Sequence, residues 1–158
     1  DGSDFPTRTM IKASADTTAI GRGDLVDISG AADTIVQGAL GGPFLGVAMS
    51  FGAASTLTTH PVIRLTAGTI LEGQDDGDTN LIAAAGEGLN ASIVVAAANS
   101  TTGLSGMEID SSTEANTSTL DLNLLRPAPR VGNTVGSSFA DWFVRVNDLR
   151  WSDLKAGL

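Results

Sequence analysis

His60 is the only imidazole in 158 residues, and the chain has no cysteine and no tyrosine. Hydrolysis by a Ser-His-Asp arrangement would therefore have to run through His60. Its setting argues against that. Pro61 follows it in a polar stretch that reads as a solvent-facing loop, and Gly103-Leu104-Ser105-Gly106-Met107 lacks the last glycine of a nucleophile elbow. Without cysteine there is no disulfide framework, zinc finger, iron–sulfur cluster or thiol nucleophile.

Carboxylates are the other reactive class. Asp75-Asp76-Gly77-Asp78-Thr79-Asn80 is the densest acidic cluster. Counted from Asp76, oxygen ligands fall at positions 1, 3 and 5 of a calcium loop, and Glu87 falls at position 12. Position 6 is Leu81 where the sharp turn needs glycine, and no flanking helices are evident, so a solvated turn is the preferred reading. Arg22-Gly23-Asp24 spells a tripeptide read by some adhesion receptors, but Gly-Asp before a strand is also ordinary turn chemistry. Asn90, Asn99 and Asn116 head glycosylation sequons, expected by chance in so Ser/Thr-rich a chain. Gly41-Gly42 lacks the Gly-Lys-Ser/Thr ending that cradles phosphate. Paired carboxylates of a glycosidase would want aromatic platforms, which the middle of the chain lacks. These residues point to no enzyme, no metal, no cofactor and no small-molecule substrate.

Composition narrows the partners. The net charge is −9, so a basic face for nucleic acid or for an anionic membrane is not expected. The longest apolar run, Ala91 to Ala98, is far short of the roughly 18 residues of a membrane helix. Asp1-Gly2-Ser3-Asp4 shows no basic and apolar leader pattern. Apolar content of 42 % rests on aliphatics and alanine, enough for a core without staples.

The elements that would position any site are short and punctuated by glycine. Leu25 to Ile28, Ile35-Val36, Phe44 to Met49, Val62 to Leu65, Thr69 to Leu71, Ser92 to Ala98, Met107 to Ile109 and Leu120 to Leu125 read as strands. The Ala-rich stretches at 83–85 and 96–98 read as strand or tight turn. No fixed-period repeat and no βαβ alternation is visible. The expectation is an all-β fold: a compact β-barrel or β-sandwich of short strands with an extended N-terminal arm. Residues 1–18 form the arm and 19–158 a single β-rich domain, with a C-terminal subregion at 107–158.

The C-terminal segment fits two patterns. Phe139, Trp142, Phe143, Val146 and Leu149 make a helical stripe capped by Ser138. Trp142, Val144 and Val146 against Asp141, Arg145 and Asn147 make a strand. The strand is preferred, partly on the resemblance given below. Four of the seven aromatics and five of the nine basic residues lie in the last 33 positions. An Arg/Trp contact surface is therefore expected from Arg126, Arg130, Trp142, Arg145, Arg150 and Trp151, with Phe5 in the arm. The alternative is that these arginines neutralise Asp121, Asp141, Asp148 and Asp153.

Gly23-Asp24-Leu25-Val26, then Phe44-Leu45-Gly46-Val47-Ala48 and Val62 to Gly68, resembles the opening of small head-decoration (capsid cement) proteins of tailed bacteriophages. Leu71-Glu72-Gly73, Gly103 to Ser112, Leu120 to Leu125, Asn133-Thr134-Val135-Gly136 and Trp142 to Asn147 resemble the C-terminal part of capsid-associated proteins of environmental phages. The resemblance implies a β-barrel-like structural protein without catalytic residues. Its partners would be the major capsid protein and other copies of itself, as a homotrimer. Its place would be the outer capsid surface of the virion, assembled in the host bacterial cytoplasm. Such proteins share no binding motif, so no residue role carries over. Two alternatives stay open: another β-rich virion component (tail tube, fibre or head fibre), or a secreted β-sandwich binding carbohydrate or calcium.

Overall fold

Period-two alternation decides the first sheet. In β1 (Thr7–Lys12), Met10 and Lys12 turn inward while Thr9 and Ile11 turn out. The computed structural model describes residues 7–30 and 33–150. Four further short strands complete the first sheet: β2 (Leu25–Ile28), β3 (Thr34–Gln37), β4 (Gly46–Ala48) and β5 (Thr58–Arg64). The order β1-β3-β2-β4-β5 closes on itself, because β1 pairs antiparallel with β5 (Met10 opposite His60) and parallel with β3 (Ile11 opposite Thr34). Closure leaves no open edge. Met10, Ile20, Val26, Ile35, Leu45, Ala48 and Val62 fill the interior.

The second sheet is antiparallel, in the order β6 (Leu71–Gln74), β10 (Asp141–Val146), β9 (Leu122–Pro127), β7 (Asn90–Val94), β8 (Glu108–Ala115). Its inner face carries Ile93, Ile109, Leu122, Leu124, Trp142, Val144 and Val146. Leu25, Phe44 and Leu65 from the barrel half join this same cluster, so the two sheets share a core. Beyond β6 the chain meets β8 at an Asp75–Ile109 bridge, which curls the sheet toward closure. Ala84–Gly86 form one 3-10 turn.

The fold is all-β, with a barrel, as expected. The strand reading of the C-terminal segment holds, since Asp141–Val146 is β10. Two expectations need correction. Residues 7–12 of the expected arm are a barrel strand, because Thr7 to Lys12 pair with β5 and Ile11 and Lys12 pair with β3 as well. The C-terminal subregion expected at 107–158 does not stand apart, since its strands β8, β9 and β10 share one sheet with β6 and β7.

Candidate contact surface

The bulge between β9 and β10 builds the outer face. Pairing runs from Phe143 opposite Arg126 to Val144 opposite Leu124, so Leu125 is the extra residue. Trp142 and Val144 stay in the core while Phe143 and Arg126 meet outside. The Arg126 guanidinium lies 5.3 Å from the centre of the Phe143 ring, a cation–π contact. On the other flank of Phe143 stands Glu72 of β6. Glu72 accepts an ion pair from Arg130 at 2.8 Å, and Arg130 also pairs with Asp141. Arg145 is exposed one register step along, opposite Asn123. Asn90 Oδ1 accepts from Asn123 at 3.1 Å and from Asn147 at 3.0 Å, tying β7, β9 and the end of β10 together.

Of the expected contact residues, Arg126, Arg130 and Arg145 therefore share this face. Trp142 does not: it is fully buried, because it alternates in phase with Val144 and Val146. Arg150 is at the seam between the sheets, donating from Nε to Asp27 of β2 at 2.7 Å and from Nη2 to its other oxygen. Both Arg130 and Arg150 thus neutralise carboxylates, as the alternative reading held, although Arg150 does so with Asp27. Phe5 and Trp151 lie outside the described residues. Sequence reasoning missed Phe143 and Glu72 as surface groups; the alternation of β10 already places Phe143 opposite in phase to Trp142.

The residues that promised chemistry are committed elsewhere. His60 is not in a solvent-facing loop but buried in β5. Its ring nitrogens meet Ser50 Oγ at 3.1 Å and Thr58 Oγ1 at 3.0 Å. Burial pushes its pKa below the usual histidine value; the Ser50 hydrogen bond opposes this and the Lys12 charge adds to it. The Asp24 carboxylate of Arg22-Gly23-Asp24 is buried, accepting from Gly21 N–H at 2.7 Å and from the Gln37 amide at 3.1 Å. Burial raises its pKa, partly offset by hydrogen bonds from Ser105, Gly21 and Gln37. No receptor could reach that carboxylate without unfolding the turn.

Asp75 is buried as well and organises the acidic loop, accepting from Gly77 N–H at 2.8 Å and Ile82 N–H at 3.0 Å. Ser111 of β8 donates to Asp76 at 2.8 Å. Among the described residues no cluster of His, Asp and Glu is arranged to hold a metal, and no helix is long and apolar enough to cross a membrane. A cleft of about 180 Å³ opens between the sheets, lined by Leu25, Val47, Leu71, Met107 and Val144, with Glu108 in its wall. It is smaller than the roughly 300 Å³ at which ligand pockets begin. Glu108 is held above the usual carboxylate range by burial and by repulsion from Asp76 and Asp75.

No protein family, no curated protein and no solved structure matches this chain.

Proposed function

We propose that this protein is a structural virion component that binds the outer surface of a phage capsid and reinforces the shell. The resemblance in the sequence supplies the reading. The observation that carries it is the outer face of the second sheet, where Arg126 over Phe143 and exposed Arg145 stand on strands fixed by a shared core. An acidic chain that displays paired cation and aromatic groups on a rigid sheet has the makings of a protein-docking surface. On this reading the partner is the major capsid protein, which meets the face with apolar and acidic groups. Many copies then add modest contacts by symmetry.

The test is co-sedimentation of purified protein with capsids of the cognate phage that lack it. Wild type pellets with the capsids, and the double variant Arg126→Glu/Arg145→Glu stays in the supernatant while melting like wild type. Binding that the double charge reversal leaves intact would remove this face from the account. Absence of any capsid binding by wild type would sink the function itself.

A further inference from the structure

The inner face of β1 and β5 carries only positive charge. Neither strand contains an aspartate or glutamate, although the chain holds 18 acidic residues against nine basic ones. Strand phase sets three cations on that face. Arg8 and Lys12 alternate in step with Met10, and Arg64 alternates in step with Val62 and His60. Arg8 pairs opposite Val62, so Arg64 is its diagonal neighbour, within reach of long side chains. Further along the same face Lys12 is fully buried, and its ammonium donates to the Asp16 carbonyl at 2.9 Å.

Arg8 and Arg64 stand at the mouth of a cavity of about 250 Å³ whose other walls are Met10, Leu45 and Val62. Those three residues belong to the buried core of the barrel, so the cavity leads from two exposed guanidiniums to apolar side chains. Its volume exceeds the roughly 150 Å³ that holds a benzene molecule and falls short of the roughly 300 Å³ of a drug-sized pocket. Asp33 pairs with Arg8 through Nη2 but does not line the cavity. A guanidinium has five N–H donors, so that pair does not exhaust it.

We infer that this cavity binds a small aliphatic carboxylate of about six to eight carbons, its head on Arg8 and Arg64 and its tail on Met10, Leu45 and Val62. Each half of the ligand answers one feature. Guanidiniums match a planar carboxylate with paired, charge-assisted hydrogen bonds. An anion between Arg8 and Arg64 also offsets their mutual repulsion. The tail leaves water for apolar walls. Among the described residues that line the cavity there is no hydroxyl, amide or carboxylate side chain. A sugar, nucleotide or peptide body would therefore bury polar groups without partners. The site is separate from the docking face, since Arg126, Phe143 and Arg145 do not line it.

Calorimetric titration of the full chain with hexanoate tests the assignment. Acetate carries the head alone, and hexanol and hexylamine carry the tail without the anion. Hexanoate should bind at least about tenfold more tightly than any of the three. Its affinity should fall as sodium chloride rises from about 0.05 M to 0.5 M. Arg8→Gln and Arg64→Gln, both at exposed positions, should each weaken it at least about tenfold. Arg22→Gln, exposed but outside the cavity, should bind like wild type. Thermal melts show whether each variant remains folded. Amide chemical shifts of wild type, expected to move at Met10, Leu45 and Val62, locate the site without any variant.

No heat with millimolar hexanoate overturns the inference. So does hexanol binding as well as hexanoate, affinity that both glutamine variants retain, or shifts confined to residues away from the cavity. An acetylated dipeptide ending in leucine presents the same carboxylate on a peptide body. If it binds more tightly than hexanoate, the occupant is a protein C-terminus and the assignment to a free acid fails.

Discussion

Asp121 is the single side chain whose removal should most clearly uncouple the two sheets. It is 1 % exposed. One carboxylate oxygen accepts from Gly41 N–H at 2.9 Å, in the turn between β3 and β4. The other accepts from Ile93 N–H at 3.1 Å, in β7. Asp121→Ala leaves both donors without that partner. Gly41 is exposed and water can replace the lost bond there, so its share is only about 0.5–1 kcal/mol. Ile93 is buried, and an orphaned donor there costs about 1.5–3 kcal/mol. The sum is about 2–4 kcal/mol. With an unfolding entropy of about 2.1 cal/mol/K per residue over the 158-residue chain, Tm should fall by about 6–12 °C. Asp121→Asn keeps one acceptor and should lose about half as much. Urea unfolding followed by fluorescence, with buried Trp142 as a core reporter, gives the free energies. Hydrogen exchange at the Ile93 amide gives the local effect. Asp33→Ala, which removes only an exposed pair with Arg8, is the control and should cost less than about 1 kcal/mol. If the Asp121 variants are no worse than that control, or Ile93 keeps its protection, the carboxylate is not the clamp.

Glu108→Gln should act in the opposite direction and with a pH signature. A carboxyl held above its ordinary value of 4.5 keeps its proton longer in the folded chain than in the unfolded one. Stability is therefore lost as pH climbs from 4.5 through the raised folded value, and the loss is complete above it. The glutamine variant should melt higher than wild type at pH 7, with no such gain at about pH 3; a gain of equal size at both would rule out titration as its source. Gly46→Ala should destabilise for steric reasons, because its Cβ would sit 2.5 Å from the Ile63 carbonyl oxygen and from Val62 Cγ1. Moving β4 off β5 should cost at least about 2 kcal/mol, and a Tm within a degree of wild type would mean the barrel wall yields freely.

Strands whose residues alternate cleanly were legible. Leu122 and Leu124 against Asn123, and Trp142, Val144 and Val146 against Phe143 and Arg145, place both strands and both faces. The same alternation puts Trp142 in the core, yet aromatics crowded among arginines read as a contact surface. Composition along a segment outweighed phase within it. His60 misled for another reason. Thr-Thr-His-Pro carries turn-like residues, but β1 pairs along it and β4 pairs with the rest of β5 at 62–64, so the barrel closes around it. Those pairings join segments about 50 and 15 positions away, which a single sequence does not reveal. The polar end of β8 is similar. Nothing in Ser111 to Ala115 alternates in apolarity, and the strand exists because Ala115 pairs with Asn90 and Thr113 Oγ1 accepts from Ser92 N–H at 2.8 Å.

What separates the outer face from a scatter of charged residues is how much of its ordering is complete before any partner arrives. A flexible arginine loses about 0.5–1.5 kcal/mol of side-chain freedom when a partner immobilises it. Arg126 already lies over Phe143, and Phe143 stands on β10 between Glu72 and Arg126, with Trp142 and Val144 locked beneath the same strand. Much of that loss is therefore taken during folding. Arg130 is ordered too, but by Glu72 and Asp141, and a partner carboxylate would have to compete for it. Arg145 is exposed and must be ordered on binding. These differences rank the three arginines: Arg126→Ala should weaken capsid binding most, Arg145→Ala less, and Arg130→Ala least. Arg130→Ala should instead show its effect in the melting temperature, through the carboxylates it leaves behind. A ranking with Arg130 first would mean that the partner displaces its internal pairs, and that the face is remodelled on binding rather than met as it stands.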